Sequence, residues 1–163
     1  MRYASQTEVS SEKSQTEIRS TLNRYGATKF MFYEEDMRAA IAFEISSRRI
    51  RFVIPLPDRK ADEFIYQQIN QSGARRVCDV VAQHKKWEQA CRQKWRALAL
   101  AIKAKLEAVE SGIATFEEEF LAYVVLPDNR TVGEFLAPQL DAVYASGVMP
   151  KMLPALGETG AAS

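Results

Sequence analysis

The chain has 163 residues, 47% of them apolar and 26% charged, the balance of an ordinary globular domain with a core of its own. A formal net charge of +1 excludes a uniform polyelectrolyte, such as a histone-like protein or an acidic DNA mimic, so any electrostatic partner has to be sought in local patches. Two patches of opposite sign adjoin: residues 84 to 105 carry Lys85, Lys86, Arg92, Lys94, Arg96, Lys103 and Lys105 against Glu88 alone, and residues 106 to 122 carry Glu107, Glu110 and Glu117 to Glu119 with no base.

The first 13 residues are polar, have no apolar run of signal-peptide length, and are expected to be flexible. From Ser14, "SQTE" has the S-x-x-E form of a capping box, and Ile18, Leu22 and Tyr25 follow at helical spacing before Gly26. A short amphipathic helix is predicted there. "KFMFYEE", "RAAIAFEI" and "RIRFVIPL" then alternate apolar and polar residues, separated by the turn-like "EDM" and "SSR", and predict a three-stranded antiparallel meander. Ala39, Ile41, Phe43 and Ile45 share one face with Ile50, Phe52, Ile54 and Leu56. The opposite face would carry Lys29, Met31, Tyr33, Arg38, Glu44, Arg49, Arg51 and Val53.

Pro55 and Pro57 lack amide donors and end the third strand. Residues 61 to 84 read as a variable connection, with "NQSGA" as a flexible break between two stretches of one or two helical turns. From Lys86 to Ser111, Trp87, Cys91, Trp95, Leu98, Ile102, Leu106 and Val109 recur every three or four residues up to Gly112, which predicts a long amphipathic helix. "TFEE" at Thr115 and "TVGE" at Thr131 are further capping boxes, the first opening a brief helix with Phe116 and Phe120. The second opens a helix with Phe135, Leu136, Leu140 and Tyr144, interrupted at Pro138. "AYVVLPDNRT" between them reads as a short extended piece and a turn, and residues 157 to 163 as a disordered tail. The expectation is one α+β domain over residues 14 to 156: an N-terminal helix, the meander, the long helix and a smaller helical C-terminal part.

Cys78 and Cys91 form no CxxC and have no second Cys/His pair, so neither a disulfide framework nor a zinc module is indicated, and a reducing, cytoplasmic setting is expected. No run approaches a membrane span. There is no G-x-x-x-x-G-K-[ST] or G-x-G-x-x-G loop, and His84 is a lone histidine whose commoner role is on the surface. Cys91 falls on the apolar stripe. No cofactor or metal site is expected. One catalytic arrangement competes: restriction-type nucleases place an acid on the second strand of a meander and an acid-x-Lys at the third, to hold Mg²⁺ and steady the attacking water. Glu44 and Asp58-Arg59-Lys60 imitate that order, but the prolines interrupt the strand before Asp58.

Two basic surfaces point instead to nucleic acid. On the open sheet face, Tyr33 and Met31 beside Lys29, Arg38, Arg49 and Arg51 combine stacking surface with charge that neutralises phosphate. On the long helix, Arg92, Arg96 and Lys103 can track a backbone. Exposed strand and helix faces are polar in any case, so a solvated surface is the competing explanation. Trp87 and Trp95 are assigned to core packing. An uncovered apolar patch at Trp87, Phe116, Phe135 or Tyr144 would instead favour a module that binds a host or phage protein or self-associates.

"RYGATKFMF", "IRFVIPLPDRK", the run from Trp87 to Glu134 and the closing "MPKMLPAL" together resemble a widespread family of small phage and prophage proteins that have no assigned activity. The resemblance runs from about Val9 to Leu156 and is weakest across residues 61 to 84. It brings no catalytic residue to transfer. It implies a mobile-element setting of replication, recombination or interference with host defence. In that setting the residues point to a non-enzymatic accessory protein that binds single-stranded DNA through the two surfaces. The helix–three strands–helix order also occurs in double-stranded-RNA-binding domains, and a three-strand-plus-helix core in strand-annealing recombinases, but neither family's signature is present.

Overall fold

A computed structural model describes residues 7–69 and 73–148, so the expected tail and the "MPKMLPAL" segment lie outside the described residues. The fold is α+β. Helix α1 (Ser11–Arg24) leads into a sheet of β1 (Thr28–Glu35), β2 (Arg38–Ile45) and β3 (Arg48–Pro55), in spatial order β1-β2-β3 and antiparallel throughout. A short helix α2 (Asp62–Ile65) and the hairpin β4 (Tyr66–Gln68) and β5 (Arg75–Val77) precede the long helix α3 (Val80–Glu110). Helix α4 (Phe116–Phe120), a single 3₁₀ turn over Leu121–Tyr123 and helix α5 (Val132–Ser146) complete the chain.

The alternation read from the strands sets the layers. Ala39, Ile41, Phe43 and Ile45 of β2 are buried, as are Ile50, Phe52 and Ile54 of β3. Trp95, Ile102 and Leu106 of α3 and Ile18 and Leu22 of α1 close the same core, and Phe32 of β1 meets the Trp95 ring with centroids 6.3 Å apart. Both long helices therefore lie on one side of the sheet. They run in the same direction: Gln89 Nε2 donates to the Thr7 carbonyl at 2.9 Å near their starts, and Tyr25 Oη donates to Glu110 at 2.5 Å near their ends.

Two expected boundaries move. Helix α1 is capped by Ser10, whose hydroxyl accepts from the Lys13 amide at 3.1 Å, while Ser14 is buried and donates to the Ser10 carbonyl at 3.1 Å. Either serine satisfies a cap pattern, and the core claims the second. Residues 11–13 are thus helical, and Thr7 is tied to α3, where a flexible segment was expected. In the connection at 61–84, the described residues form regular elements that its composition does not predict, while most of the expected break at "NQSGA" lies outside the described residues. Asp79 accepts from the Ala82 amide at 2.8 Å and starts α3 at Val80 rather than Lys86. All six residues of the β4–β5 ladder are exposed, so no burial alternation marked them as strands.

The C-terminal part covers the free edge of β3. The Val125 amide donates to the Arg49 carbonyl at 2.8 Å, and Ile50 bridges Val124. Of the three predicted capping boxes, the two in this part form, at Thr115 with Glu118 and at Thr131 with Glu134, whereas Ser14 is not the cap of α1. Gly133 is required where it stands: a Cβ there would lie 2.9 Å from the Ala122 carbonyl oxygen, because the first turn of α5 rests on the backbone of the 3₁₀ turn. Beyond that turn α5 buries none of its residues.

Candidate nucleic-acid interface

The register fixes how the open sheet face is tiled. Met31 stands opposite Ala42, which stands opposite Arg51; Tyr33 is followed in the same way by Ala40 and Val53. At one end Glu44 faces Arg49, and at the other Glu35 faces Arg38. Small alanines in the middle strand leave a low apolar floor between Met31, 63% exposed, and Tyr33, 48% exposed, on one side and exposed Val53 on the other. Cations stand at both ends and beside Met31's row.

Most of those cations have acidic neighbours. Lys29 reaches the open face from a left-handed backbone position, φ 53°, where the β1–β2 register shifts, and its ammonium donates to both Glu44 oxygens at 2.9 and 2.7 Å. Arg38 Nε donates to Glu35 at 2.8 Å. Tyr33 Oη also donates to Glu35; that bond raises the Tyr33 phenol above its ordinary value and, with the Arg38 guanidinium, lowers the Glu35 carboxyl. The phenol is neutral at physiological pH. Arg51 donates to Glu134 of α5 at 2.8 Å, and its Nε is buried without an acceptor. Among the described residues Arg49 forms no ion pair and is exposed. Tyr33, Arg38, Ala40, Arg51, Val53 and Glu134 enclose a cleft of about 270 Å³ between the sheet and the start of α5.

These ion pairs do not close the face. Exposed pairs contribute about 0–1 kcal/mol each, so a phosphate can replace Glu35 or Glu44 at little loss. Arg51 is more committed, since its partner sits in a built helix cap.

On α3, Lys85, Arg92, Arg96 and Lys103 follow at intervals that place them within about 40° on the helical wheel. Helix α1 lies alongside that stripe: Arg96 pairs with Glu17, and Arg92 stands 3.8 Å from Glu88 of its own helix. Lys103 is exposed and forms no ion pair among the described residues. Because α3 packs on the apolar side of the sheet, the stripe and the open face sit across the core from one another. Sequence reasoning named both surfaces, but the structure joins only Lys29, Tyr33, Arg38, Arg49 and Arg51 into one. Glu35 and Glu134, which tune that surface, were not anticipated in that role; the capping box flagged Glu134 only as a helix start.

The remaining candidates fall elsewhere. Trp87 is buried, donates Nε1 to the Pro57 carbonyl at 2.8 Å and carries the Arg59 guanidinium 3.9 Å above its ring. Cys91 is buried and its thiol is pushed up to about 11, chiefly by burial and then by the Glu34 charge, which suits a core residue rather than a nucleophile. Glu44 stands opposite Arg49 at the start of β3 and Asp58 lies beyond the strand's end at Pro55, so about 20 Å of strand alone lies between them. The two acids therefore do not converge, and Asp58 instead accepts from the Lys60 amide at 2.9 Å. No group of three or more His, Cys, Asp or Glu among the described residues is placed to hold a metal ion. None of the described helices is long and apolar enough to cross a membrane.

No family model, no curated protein and no solved structure matches the chain.

Proposed function

We propose that the protein binds single-stranded nucleic acid on the open face of its sheet, as a non-enzymatic accessory in mobile-element replication or recombination. The observation that carries this reading is the exposed Met31–Tyr33–Val53 floor spanning all three strands, with Arg38, Arg49, Arg51 and Lys29 around it. Bases stack on Tyr33 while phosphates exchange with the carboxylates of the surface ion pairs. The mobile-element setting rests on the phage-family resemblance.

Titration of a fluorescent oligonucleotide followed by anisotropy tests it. Affinity falls steeply between low and moderate salt, with a log–log slope near 0.7 per neutralised phosphate for a single strand. Removing Arg49 and Arg51 together lowers the slope by about 1.4 on that basis. Tyr33→Ala weakens binding about tenfold, since a stacked base contributes about 1–3 kcal/mol, whereas Tyr33→Phe preserves it. Salt-independent affinity, or binding intact in the double arginine variant, removes the proposal.

A further inference from the structure

The sheet has one covered edge and one open edge. Val124 and Val125 close the outer side of β3, whereas no described segment pairs with the outer side of β1. The Leu56 amide donates to the Met37 carbonyl at 2.9 Å, one step beyond the Arg38–Pro55 pair. Met37, Ala39 and Ile41 therefore bond towards β3, and the alternate residues Arg38, Ala40 and Ala42 bond towards β1. Their partners Glu35, Tyr33 and Met31 bond inwards, which turns the amides and carbonyls of Phe32 and Glu34 outwards. No hydrogen bond among the described residues reaches those outward groups.

The side chains of β1 suit an interior strand. Phe30 and Phe32 are half-buried on the helix side, where Phe30 stacks on Phe43 and Phe32 meets Trp95, while Met31 and Tyr33 stand exposed on the open face. Four large side chains in succession thus present bulk to both faces of a strand that has a neighbour on one side only. The charges that flank them differ in sign: Lys29 stands at the bulge, and Glu34 and Glu35 at the other end.

We infer that β1 pairs antiparallel with β1 of a second copy, about a twofold axis at Phe32, and joins the two sheets into one. The Phe32 amides and carbonyls bond reciprocally, Met31 stands beside the partner's Tyr33, and Lys29 comes to the partner's Glu35. Glu44 and Lys29 of one copy then continue into Glu35 and Arg38 of the other, a row that alternates in sign across both sheets. On the helix side the partner's Glu34 comes opposite Phe30, whose ring centroid lies 5.3 Å from the Arg19 guanidinium. Neither Arg19 nor Glu34 forms an ion pair among the described residues. Asp36 comes opposite the partner's uncharged Thr28. Other registers lose these matches: sliding by one bonded step sets Lys29 against the partner's Met37, and sliding by two sets Glu34 against Glu34. Parallel pairing sets like against like throughout. A strand that is its own complement in charge and in bonding phase takes a second copy of itself as partner. The partner's Met31 and Tyr33 then extend the open face across the axis.

Analytical ultracentrifugation of the full chain without nucleic acid, over a range of concentrations, tests this apart from the binding proposal. The wild type passes from its 18.4 kDa chain mass to twice that mass and no further, because pairing consumes the open edge of each copy. Glu34→Pro removes an outward amide and leaves the inward bonds of β1 in place, so it stays at one chain mass with circular dichroism unchanged. Lys29→Glu and Glu35→Lys each oppose like charges at both ends of the pairing, and each raises the midpoint concentration about tenfold or more. Mixed in equal amounts, these two variants form the two-chain species at the wild-type concentration, since each supplies the charge that the other lacks. A wild type of one chain mass at every concentration overturns the inference. Assembly beyond two copies overturns it too, as does a dimer indifferent to Glu34→Pro or a mixture no tighter than its components. Oligonucleotide binding by a chain that stays single overturns the pairing alone, and a two-chain species that binds no oligonucleotide sustains the pairing and removes the binding proposal.

Discussion

Glu134 joins a helix cap to the proposed binding face. Its carboxylate accepts from the Thr131 amide at 2.7 Å and from Arg51 at 2.8 Å, and those contacts, the amide first, hold its carboxyl below the ordinary value of 4.5. A carboxyl with a lowered folded-state pKa adds stability that is in place above 4.5 and is lost as pH falls through the lowered value. Glu134→Gln keeps a side chain able to complete the capping box but removes the negative charge that pairs with Arg51. That variant is expected to bind an oligonucleotide about two- to fivefold more tightly, the scale of one exposed ion pair. It also loses part of the acid-induced fall in stability below pH 4.5, read from melting temperature against pH. Glu134→Ala removes the cap as well and loosens the start of α5. Tighter binding in the glutamine variant with no such loosening marks the charge, and not the helix, as the competitor for phosphate.

At the level of elements, the sheet and the long helix were legible because burial imposes a period on them. Phe43 and Phe52, or Trp95 and Ile102, recur at intervals that only one secondary structure satisfies with one buried face. The β4–β5 hairpin had no such period, since Gln67, Gln68, Arg75 and Arg76 are all exposed; beside its backbone bonds it is tied down by the Arg75–Asp62 pair and by Lys86, which donates to the Tyr66 carbonyl. The turn between β2 and β3 falls between these cases. "SSR" read correctly as a turn, but Ser46 and Ser47 both adopt positive φ, 50° and 62°, in a two-residue connection that favours Asn-Gly. Left-handed backbone costs a residue with a Cβ about 1–2 kcal/mol, and serine offsets little of that. Ser46→Asn with Ser47→Gly is therefore expected to stabilise the fold by about 1 kcal/mol, a rise of about 3 °C in melting temperature for a domain of this size. An unchanged or lower melting temperature would show that the turn is held by something other than its own backbone preference.

At the level of the whole molecule, the decisive fact is which side of the sheet the helices take. The sequence shows that Trp95, Ile102 and Leu106 are core, and that Arg92, Arg96 and Lys103 are not, but a helical wheel does not say what lies beside the helix. Here α1 lies there, and its Glu17 takes Arg96. The basic stripe of α3 is thus partly an interhelical seam, separated from the open sheet face by the whole core. A strand of nucleic acid lying on Met31 and Tyr33 does not reach it without passing around the domain. The two surfaces are therefore expected to respond differently to charge reversal. Arg49→Glu, on the open face, weakens oligonucleotide binding by tenfold or more and shortens the salt slope, because one phosphate contact is lost and a repulsive charge replaces it. Lys103→Glu, equally exposed and equally free of an ion pair, leaves a short oligonucleotide's affinity within about twofold at 0.15 M salt, where charges beyond a Debye length of about 8 Å are screened. Oligonucleotide length separates a local site from a wrapped path: if Lys103→Glu weakens a long strand but not a short one, nucleic acid travels around the domain and both basic surfaces serve it. If it weakens the short one as well, the binding face is on α3, and the sheet is not the site.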